Sequence, residues 1–289
     1  MIKKYDLCVV GTGPSSFFLV KKFLERNTNS NVIVLEAGTS KIDLSSPFSD
    51  RNSFGNDFKL KPSINIGYGG TSQLWHNVLS PLDEEDFKEH PWIPNSGWQI
   101  TKKDLVPFYK EVSNFFGFSY EIFEDPSSYC DFEYEKNKIN FDNDIFEHKI
   151  FIHPKKYLRT SESFDQLQKK YKNLDLRQGN AALKFIEKDN KNNLLVYNHF
   201  LKEKYLISST KYVLSCGALN NPEVLLNSKH IKEKLPYIGY FLMDHPMGNF
   251  YQYKYQNPIK AKIYSALKFK KGLSINIALK LKYSLQEQH

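Results

Sequence analysis

The feature that most constrains the fold is an ordered unit near the start of the chain, in which a glycine-rich turn stands between two buried strands. Residues 5–10 form a short apolar run of the kind buried on both faces of a parallel sheet. The turn GTGPSS at 11–16 follows, then a helical pattern over 17–26 and a second apolar run over 32–35 that ends at Glu36. This order predicts the first strand–turn–helix–strand unit of a doubly wound α/β sheet.

The turn carries the residues that a bound dinucleotide requires. Its pyrophosphate must sit on the free N–H groups of a helix N-terminus. Gly11 permits the tight turn and Gly13 lets the backbone approach the phosphates, whereas Ser16 stands where a third glycine is usual. Glu36, 23 residues after Gly13, can accept hydrogen bonds from the ribose hydroxyls of adenosine and disfavours a 2′-phosphate. The predicted binding residues of this unit are Gly11, Gly13, Pro14, Ser15, Ser16, Glu36 and Ala37.

A glycine pattern of this kind also occurs in strand–turn–helix units that bind no nucleotide, which is the alternative for the motif alone. Here the strand, glycines, helix, second strand and acid all follow in the expected order from residue 5. The complete unit therefore favours a dinucleotide site.

Length and composition favour a globular cytoplasmic protein. At about 150 residues per domain, 289 residues suggest two domains. Cys8, Cys130 and Cys216 are odd in number and far apart, which argues against a disulfide framework or a thiolate metal site and for a reducing compartment. No apolar run approaches the roughly 18 residues of a membrane-spanning helix, so stable membrane insertion is not expected.

The positive charge is concentrated at the end of the chain. The net charge is +8, and residues 245–289 contribute +7 of it through eight lysines and one glutamate. The rest is nearly neutral, which argues against nucleic acid as a partner. Apolar residues alternate with polar ones at Ile275, Ile277, Leu279, Leu281 and Tyr283. This alternation predicts a half-buried strand with lysines facing solvent, and a basic patch for an anionic partner is the alternative.

Further motifs follow the first unit in a fixed order. They are LEAG at 35–38, GYGGTSQLWHN at 67–77, LSCGALNNP at 214–222 and DHP at 244–246. Together, over residues 5–246, these motifs resemble the glucose–methanol–choline (GMC) oxidoreductases, and within them a pyranose-oxidase-like branch. The resemblance implies an FAD-dependent enzyme that oxidises a CH–OH group of a sugar or other alcohol by hydride transfer to flavin.

The resemblance also implies further residues around the cofactor. By resemblance, backbone near Ala182 and Leu183 would meet the adenine edge. From their own chemistry, Gly70, Thr71 and Ser72 offer N–H groups and hydroxyls that could line the pyrophosphate or ribityl oxygens, and Trp75 offers a flat apolar wall that could lie near the isoalloxazine. Cys216, Gly217 and Asn221 belong to a further strand–turn–helix unit, and Asp244 and His245 would stand near the cofactor. For these motifs taken singly, a polar turn, a core tryptophan and a structural histidine are the alternatives.

Two local expectations accompany this assignment. Some family members bind flavin covalently through a histidine just before the position of Trp75. That position is Leu74 here, which implies non-covalent FAD. In the late unit, Asn220 or Asn221 can cap a helix whose first residue would be Pro222.

The expected fold class is α/β. A Rossmann-like FAD/NAD(P)-binding domain with a parallel sheet would comprise residues 1–80 and 156–245. An incomplete α+β substrate domain with an antiparallel sheet would comprise 81–155 and 246–289.

We expect these 289 residues to lack the C-terminal portion that supplies the catalytic base in the family, so no catalytic residue is predicted. Two other functions stay open. An NAD-dependent Rossmann dehydrogenase is compatible with Glu36, and a non-catalytic remnant of the flavin fold is compatible with a missing base.

Overall fold

The computed structural model describes residues 4–40, 65–125, 145–188, 190–243, 267–268 and 273–286. The chain divides into two compact units. The first combines Met1–Trp75 with Leu158–Met247, and the second combines His76–Tyr157 with Gly248–His289. Within the described ranges, no helix is long and apolar enough to span a bilayer.

The described strands are, in chain order, β1 (Lys4–Val10), β2 (Val32–Glu36), β3 (Phe146–His153), β4 (Leu174–Gln178), β5 (Asn180–Lys188), β6 (Lys191–Asn198), β7 (Glu203–Leu214), β8 (Leu267–Lys268) and β9 (Ser274–Leu281). The described α-helices are α1 (Pro14–Arg26), α2 (Lys102–Phe115), α3 (Thr160–Lys170), α4 (Gly217–Leu226), α5 (Lys229–Lys232) and α6 (Tyr283–Gln286). Short 3₁₀ helices lie at Gly70–Gln73, Glu85–Phe87 and Tyr120–Phe123.

The first unit is built on a six-stranded sheet in the order β4-β2-β1-β7-β6-β5. Strands β4, β2, β1 and β7 run parallel, and β6 and β5 extend the sheet as an antiparallel meander. All five residues of β2 are buried, as the apolar run predicted. The expected α/β class, with a sheet rich in parallel strands, is confirmed.

Helix α1 begins where the glycine turn ends. Pro14 occupies its first position, where a missing N–H group costs nothing. Its buried face includes Phe17, Val20 and Leu24, the residues that the helical period predicted. The ring of Phe17 meets the ring of Phe164 on α3 edge-on, with 5.8 Å between centroids. This packing holds the start of α1 close to the start of α3.

Helix α4 does not start at Pro222 after an asparagine cap, as the sequence predicted. The helix begins at Gly217, with Cys216 in the capping position, and Pro222 lies inside the helix. The reason is a side-chain contact from within the helix: Asn221 Oδ1 accepts a hydrogen bond from the Cys216 N–H group at 2.9 Å. The Asn221 side chain therefore provides the hydrogen-bond acceptor for the Cys216 N–H group at the start of the helix, although Asn221 itself lies inside the helix.

The second unit contains a small antiparallel sheet in the order β3-β9-β8, as predicted for the fold class. Strand β9 lies where the alternating tail pattern placed a strand, and Ile275 and Ile277 are buried there. They form a core with Phe118, Ile122, Ile150, Ile152 and Leu273.

The end of the chain differs in several ways from the expected strand. Tyr283 lies in α6 and not in β9. Leu279 is 38% exposed and Leu281 46% exposed, although both fall on the predicted inner face. Lys280 does not simply face solvent, because its ammonium lies 2.8 Å from Asp83 and 2.7 Å from Glu147. Two acidic partners from other segments therefore fix this lysine.

Candidate functional site

A cavity of about 720 Å³ lies in the first unit, at the carboxyl ends of its parallel strands. Val10 of β1, Glu36 of β2 and Leu214 of β7 contribute to its lining. The chain passes from β1 to β2 on one side and places β7 on the other, so the strand order reverses at β1. Open α/β sheets bind their ligands outside the carboxyl ends of strands at such a reversal.

The turn before α1 forms one wall of the cavity, through Gly11, Thr12, Gly13, Pro14 and Ser15. The first N–H groups of a helix have no partner within the helix and carry partial positive charge, so this wall suits an anionic group.

The two glycines of this turn have different roles. Gly11 has φ +98°, and a Cβ there would lie 2.5 Å from the carbonyl oxygen of Ser215. Its lack of a side chain is therefore required for the fold itself. Around Gly13, no atom beyond the residue itself and its two chain neighbours lies within 4 Å of the place where a Cβ would stand. This open space at the helix start is what a closely approaching phosphate needs.

Glu36 places a carboxylate at the end of β2, beside the turn. It is only 5% exposed. Its Oε2 atom accepts hydrogen bonds from the Thr12 hydroxyl at 2.5 Å and the Thr12 N–H group at 3.1 Å, and Oε1 accepts one from the Gly38 N–H group at 3.1 Å. Burial raises the pKa of Glu36, and the hydrogen bonds from Thr12 and Gly38 oppose that effect.

The segment around the second glycine motif contributes Gly70 and Thr71 to the cavity. Ser72 is fully buried, and its hydroxyl donates to the carbonyl oxygen of Gly69 at 2.6 Å. It also lies 2.8 Å from the hydroxyl of Thr160. Ser72 therefore does not line the cavity but stabilises the segment that contains Gly70 and Thr71 through these buried hydrogen bonds.

Four predicted residues do not line the cavity: Ser16, Ser72, Trp75 and Leu183. Ser16 is fully buried on α1. The carbonyl oxygen of Trp75 accepts a hydrogen bond from Arg159 at 3.1 Å. In β5, the register with β6 shifts between Ala182 and Lys184, which places Leu183 at an irregularity. Ala182, which was predicted with Leu183, lines the cavity, and so does its neighbour Ala181.

The α4 unit forms another wall, and Cys216, Gly217 and Asn221 all line the cavity. Asn221 Oδ1 lies 2.9 Å from Cys216 Sγ, which holds the thiol in place. Burial raises the pKa of Cys216 to about 12, so the group is a neutral thiol at neutral pH. It provides shape and little nucleophilicity. Asp244 and His245, predicted near the cofactor, lie outside the described residues.

Sequence reasoning missed several lining residues. They include Thr12, Asn65, Ile66, Asn180, Ala181 and Glu223. Thr12 stood inside the predicted turn, where its hydroxyl was the available signal. Among the described lining residues, Glu36 and Glu223 are acidic and none is basic. The positive partial charge offered to an anion in this cavity would therefore come from backbone N–H groups at the start of α1 and not from basic side chains of the described lining.

Within the described residues, no three His, Cys, Asp or Glu side chains cluster as metal ligands would. The arrangement can hold an anion at the α1 terminus and a hydroxylated group at Glu36.

Three solved structures similar to this chain are described as oxidases. A fungal aryl-alcohol oxidase has 11% identity and a TM-score of 0.49, covering 77% of this chain and 47% of that one. Pyridoxine 4-oxidase from Mesorbium loti has 15% identity and a TM-score of 0.49, and the match covers 78% of this chain and 52% of that one. A formate oxidase of Aspergillus oryzae RIB40, studied for FAD modification, has 16% identity and a TM-score of 0.48. That match covers 78% of this chain and 47% of the other. The chain thus spans about half the length of these structures.

No curated protein matches the sequence. A family model does match part of it, over residues 155–247. That range includes α3, strands β4 to β7 and α4, and so supplies several walls of the cavity. Residues 155–247 carry the sequence pattern of the family described as GMC oxidoreductase.

Proposed function

We propose that this chain binds FAD in the cavity of the first unit and serves as a GMC-type oxidoreductase acting on a CH–OH group of a sugar or other alcohol. The observation that carries the proposal is the meeting of three parts in one cavity. They are the α1 N-terminus, the Glu36 carboxylate and the α4 turn of the segment that matches the family model.

The lining residues fit the parts of FAD. The pyrophosphate would rest on the amides at the start of α1, where Gly13 leaves open space. The adenosine ribose would donate hydrogen bonds to Glu36. Ala181 and Ala182 offer a strand edge for adenine, in agreement with the resemblance.

Bound FAD supplies the hydride acceptor for alcohol oxidation. The residues of this chain bind and orient it. Because no described lining residue is basic, backbone dipoles at α1 would balance the pyrophosphate charge. Cys216 stays protonated beside the cofactor and adds a neutral wall. No described residue is assigned as the base, and Leu74 has no group that could bond to flavin, which favours non-covalent binding.

The test is a comparison of nucleotides on the full chain. After purification with added FAD and gel filtration, the protein fraction should be yellow and should release free FAD when denatured. Calorimetry on protein freed of nucleotide should show tighter binding of FAD than of NAD. Tighter binding of NAD would favour the dehydrogenase, and no binding of either nucleotide would favour the non-catalytic remnant.

We further propose the pyranose-oxidase-like branch, which the motif order supports. Flavin reduction should then be faster with aldopyranoses than with simple primary or aromatic alcohols when each is mixed anaerobically with the FAD-loaded protein in a form that carries the family's base-supplying C-terminal portion. Faster reduction by an aromatic alcohol would contradict the branch and leave FAD binding intact.

A further inference from the structure

Thr12 joins two walls of the cavity through a single hydroxyl. The residue is fully buried. Its Oγ1 atom donates to Glu36 at 2.5 Å and accepts from the Gly69 N–H group at 2.8 Å. One side chain thus connects the carboxylate at the end of β2 with the segment that contributes Gly70 and Thr71 to the cavity.

A second hydroxyl supports this connection from behind. Thr160, at the start of α3, is fully buried. Its Oγ1 lies 2.7 Å from the carbonyl oxygen of Thr12 and 2.9 Å from that of Gly69. Ser72 completes the cluster, because its hydroxyl accepts from the Thr160 N–H group at 3.1 Å. Three distant segments therefore hold Thr12 in one position.

We propose that Thr12 is a specificity-determining positioning residue: its hydroxyl orients the Glu36 carboxylate toward the 2′-hydroxyl of an adenosine ribose. The proposal rests on the function proposed above. A buried carboxylate needs donors to stay ionised and fixed, and Thr12 supplies two of the hydrogen bonds that Glu36 accepts. Without the hydroxyl, one donor to Glu36 and the acceptor of the Gly69 N–H group would both be lost.

The test compares ADP with 2′-deoxy-ADP, which differ only in the hydroxyl that Glu36 would read. Calorimetry on the nucleotide-free full chain should show ADP binding more tightly by on the order of tenfold, as expected for a hydrogen bond to a charged group. T12V should bring this ratio close to one, because valine keeps the shape and removes the hydroxyl. T12S should keep the ratio.

A double-mutant cycle tests whether Thr12 affects the preference for ADP through Glu36. T12V and E36Q should each reduce the preference for ADP, and the double variant should lose little more than either. T210V is the matched control, because Thr210 is exposed on β7 and should leave the ratio unchanged. Additive losses in the double variant would overturn the role of Thr12 as a positioning residue.

The outcomes separate the two proposals. If the wild-type chain binds neither ADP nor FAD, the proposed function fails. If wild type binds FAD and ADP but does not distinguish ADP from 2′-deoxy-ADP, or if T12V keeps the distinction, only the role of Thr12 fails. Should T12V not fold, T12A serves in the same assay, and the wild-type ratio alone still tests the proposal.

Discussion

The hydroxyl of Thr12 lies 2.5 Å from a carboxylate oxygen of Glu36, although the two residues are 24 positions apart. The contact joins the turn after β1 to the end of the neighbouring parallel strand β2. It therefore fixes together the two places where a dinucleotide fold holds phosphate and ribose.

We expect Gly13→Ala to weaken FAD binding on the order of tenfold or more, because the added Cβ would occupy the open space that a phosphate needs. Stability should fall by only about 1 kcal/mol, the usual effect of alanine at a helix cap. Gly11→Ala is the matched comparison. It should destabilise the chain by roughly 3 kcal/mol, because its Cβ would meet the Ser215 carbonyl oxygen at a left-handed position.

Calorimetry with FAD and urea unfolding of both variants check this pair. Unchanged FAD affinity in Gly13→Ala would contradict the placement of the phosphates at α1.

Affinity for ADP should fall as the pH is lowered through the pKa of Glu36, which burial raises above its ordinary 4.5. Ribose hydroxyls donate best to the ionised carboxylate, so binding is complete above that pKa and weakens below it. The contribution of Glu36 to the stability of the free protein has the opposite sign. Because burial disfavours the charged form, that contribution increases as the pH falls through the same pKa.

The pH dependence of ADP binding that Glu36 causes can be distinguished from effects of other groups near the cavity. Burial raises the pKa of Tyr68 and of Cys216, so both stay neutral from pH 4 to 8. Glu223 also lines the cavity. Calorimetric titrations at several pH values should show that E36Q removes most of the pH dependence. A pH dependence that survives in E36Q would contradict the role of Glu36 in binding the ribose.

Cys216 should react slowly with iodoacetamide at neutral pH, because burial raises the pKa of its thiol to about 12 and little thiolate is present. In urea, labelling of Cys216 should become fast. Peptide-resolved mass spectrometry gives its rate separately from that of Cys130. FAD should slow the reaction further in the folded chain, and rapid labelling of the folded FAD-loaded protein would argue against this wall of the cavity.

Asp83 should stabilise the second unit through Lys149 and Lys280, whose ammonium groups both lie 2.8 Å from its carboxylate. Burial alone would raise the pKa of Asp83, but the two lysines outweigh it and lower the pKa below 3.8. Asp83→Asn should cost about 1 kcal/mol near pH 7. The stabilisation by Asp83 is present above pH 3.8 and is lost as the pH falls through its lowered pKa.

Urea unfolding monitored at pH 7 and pH 3 measures this effect. The matched control is Glu25→Gln, which breaks an exposed pair with Lys21 on α1 and should change stability by less than about 0.5 kcal/mol. Equal effects of the two substitutions would contradict a special role for Asp83.

The sequence by itself determined the first strand, the glycine turn, α1 and the position of Glu36 at the end of β2. Each depends on neighbours within a few residues, because hydrophobic periodicity and turn chemistry are local properties. The same reasoning located β9 by its alternation. It also identified Gly13 as the residue that leaves room at the helix start.

Tertiary structure alone decided which distant polar groups meet. Ser72 and Thr160 are 88 positions apart, yet their hydroxyls lie together behind the cavity. Lys280 meets Asp83 from a different segment, and the side chain of Asn221 reaches back to set the start of α4. Periodicity predicts which face of an element is buried. The partners on that face follow from strand order and helix packing, because these bring together segments that local sequence patterns cannot relate.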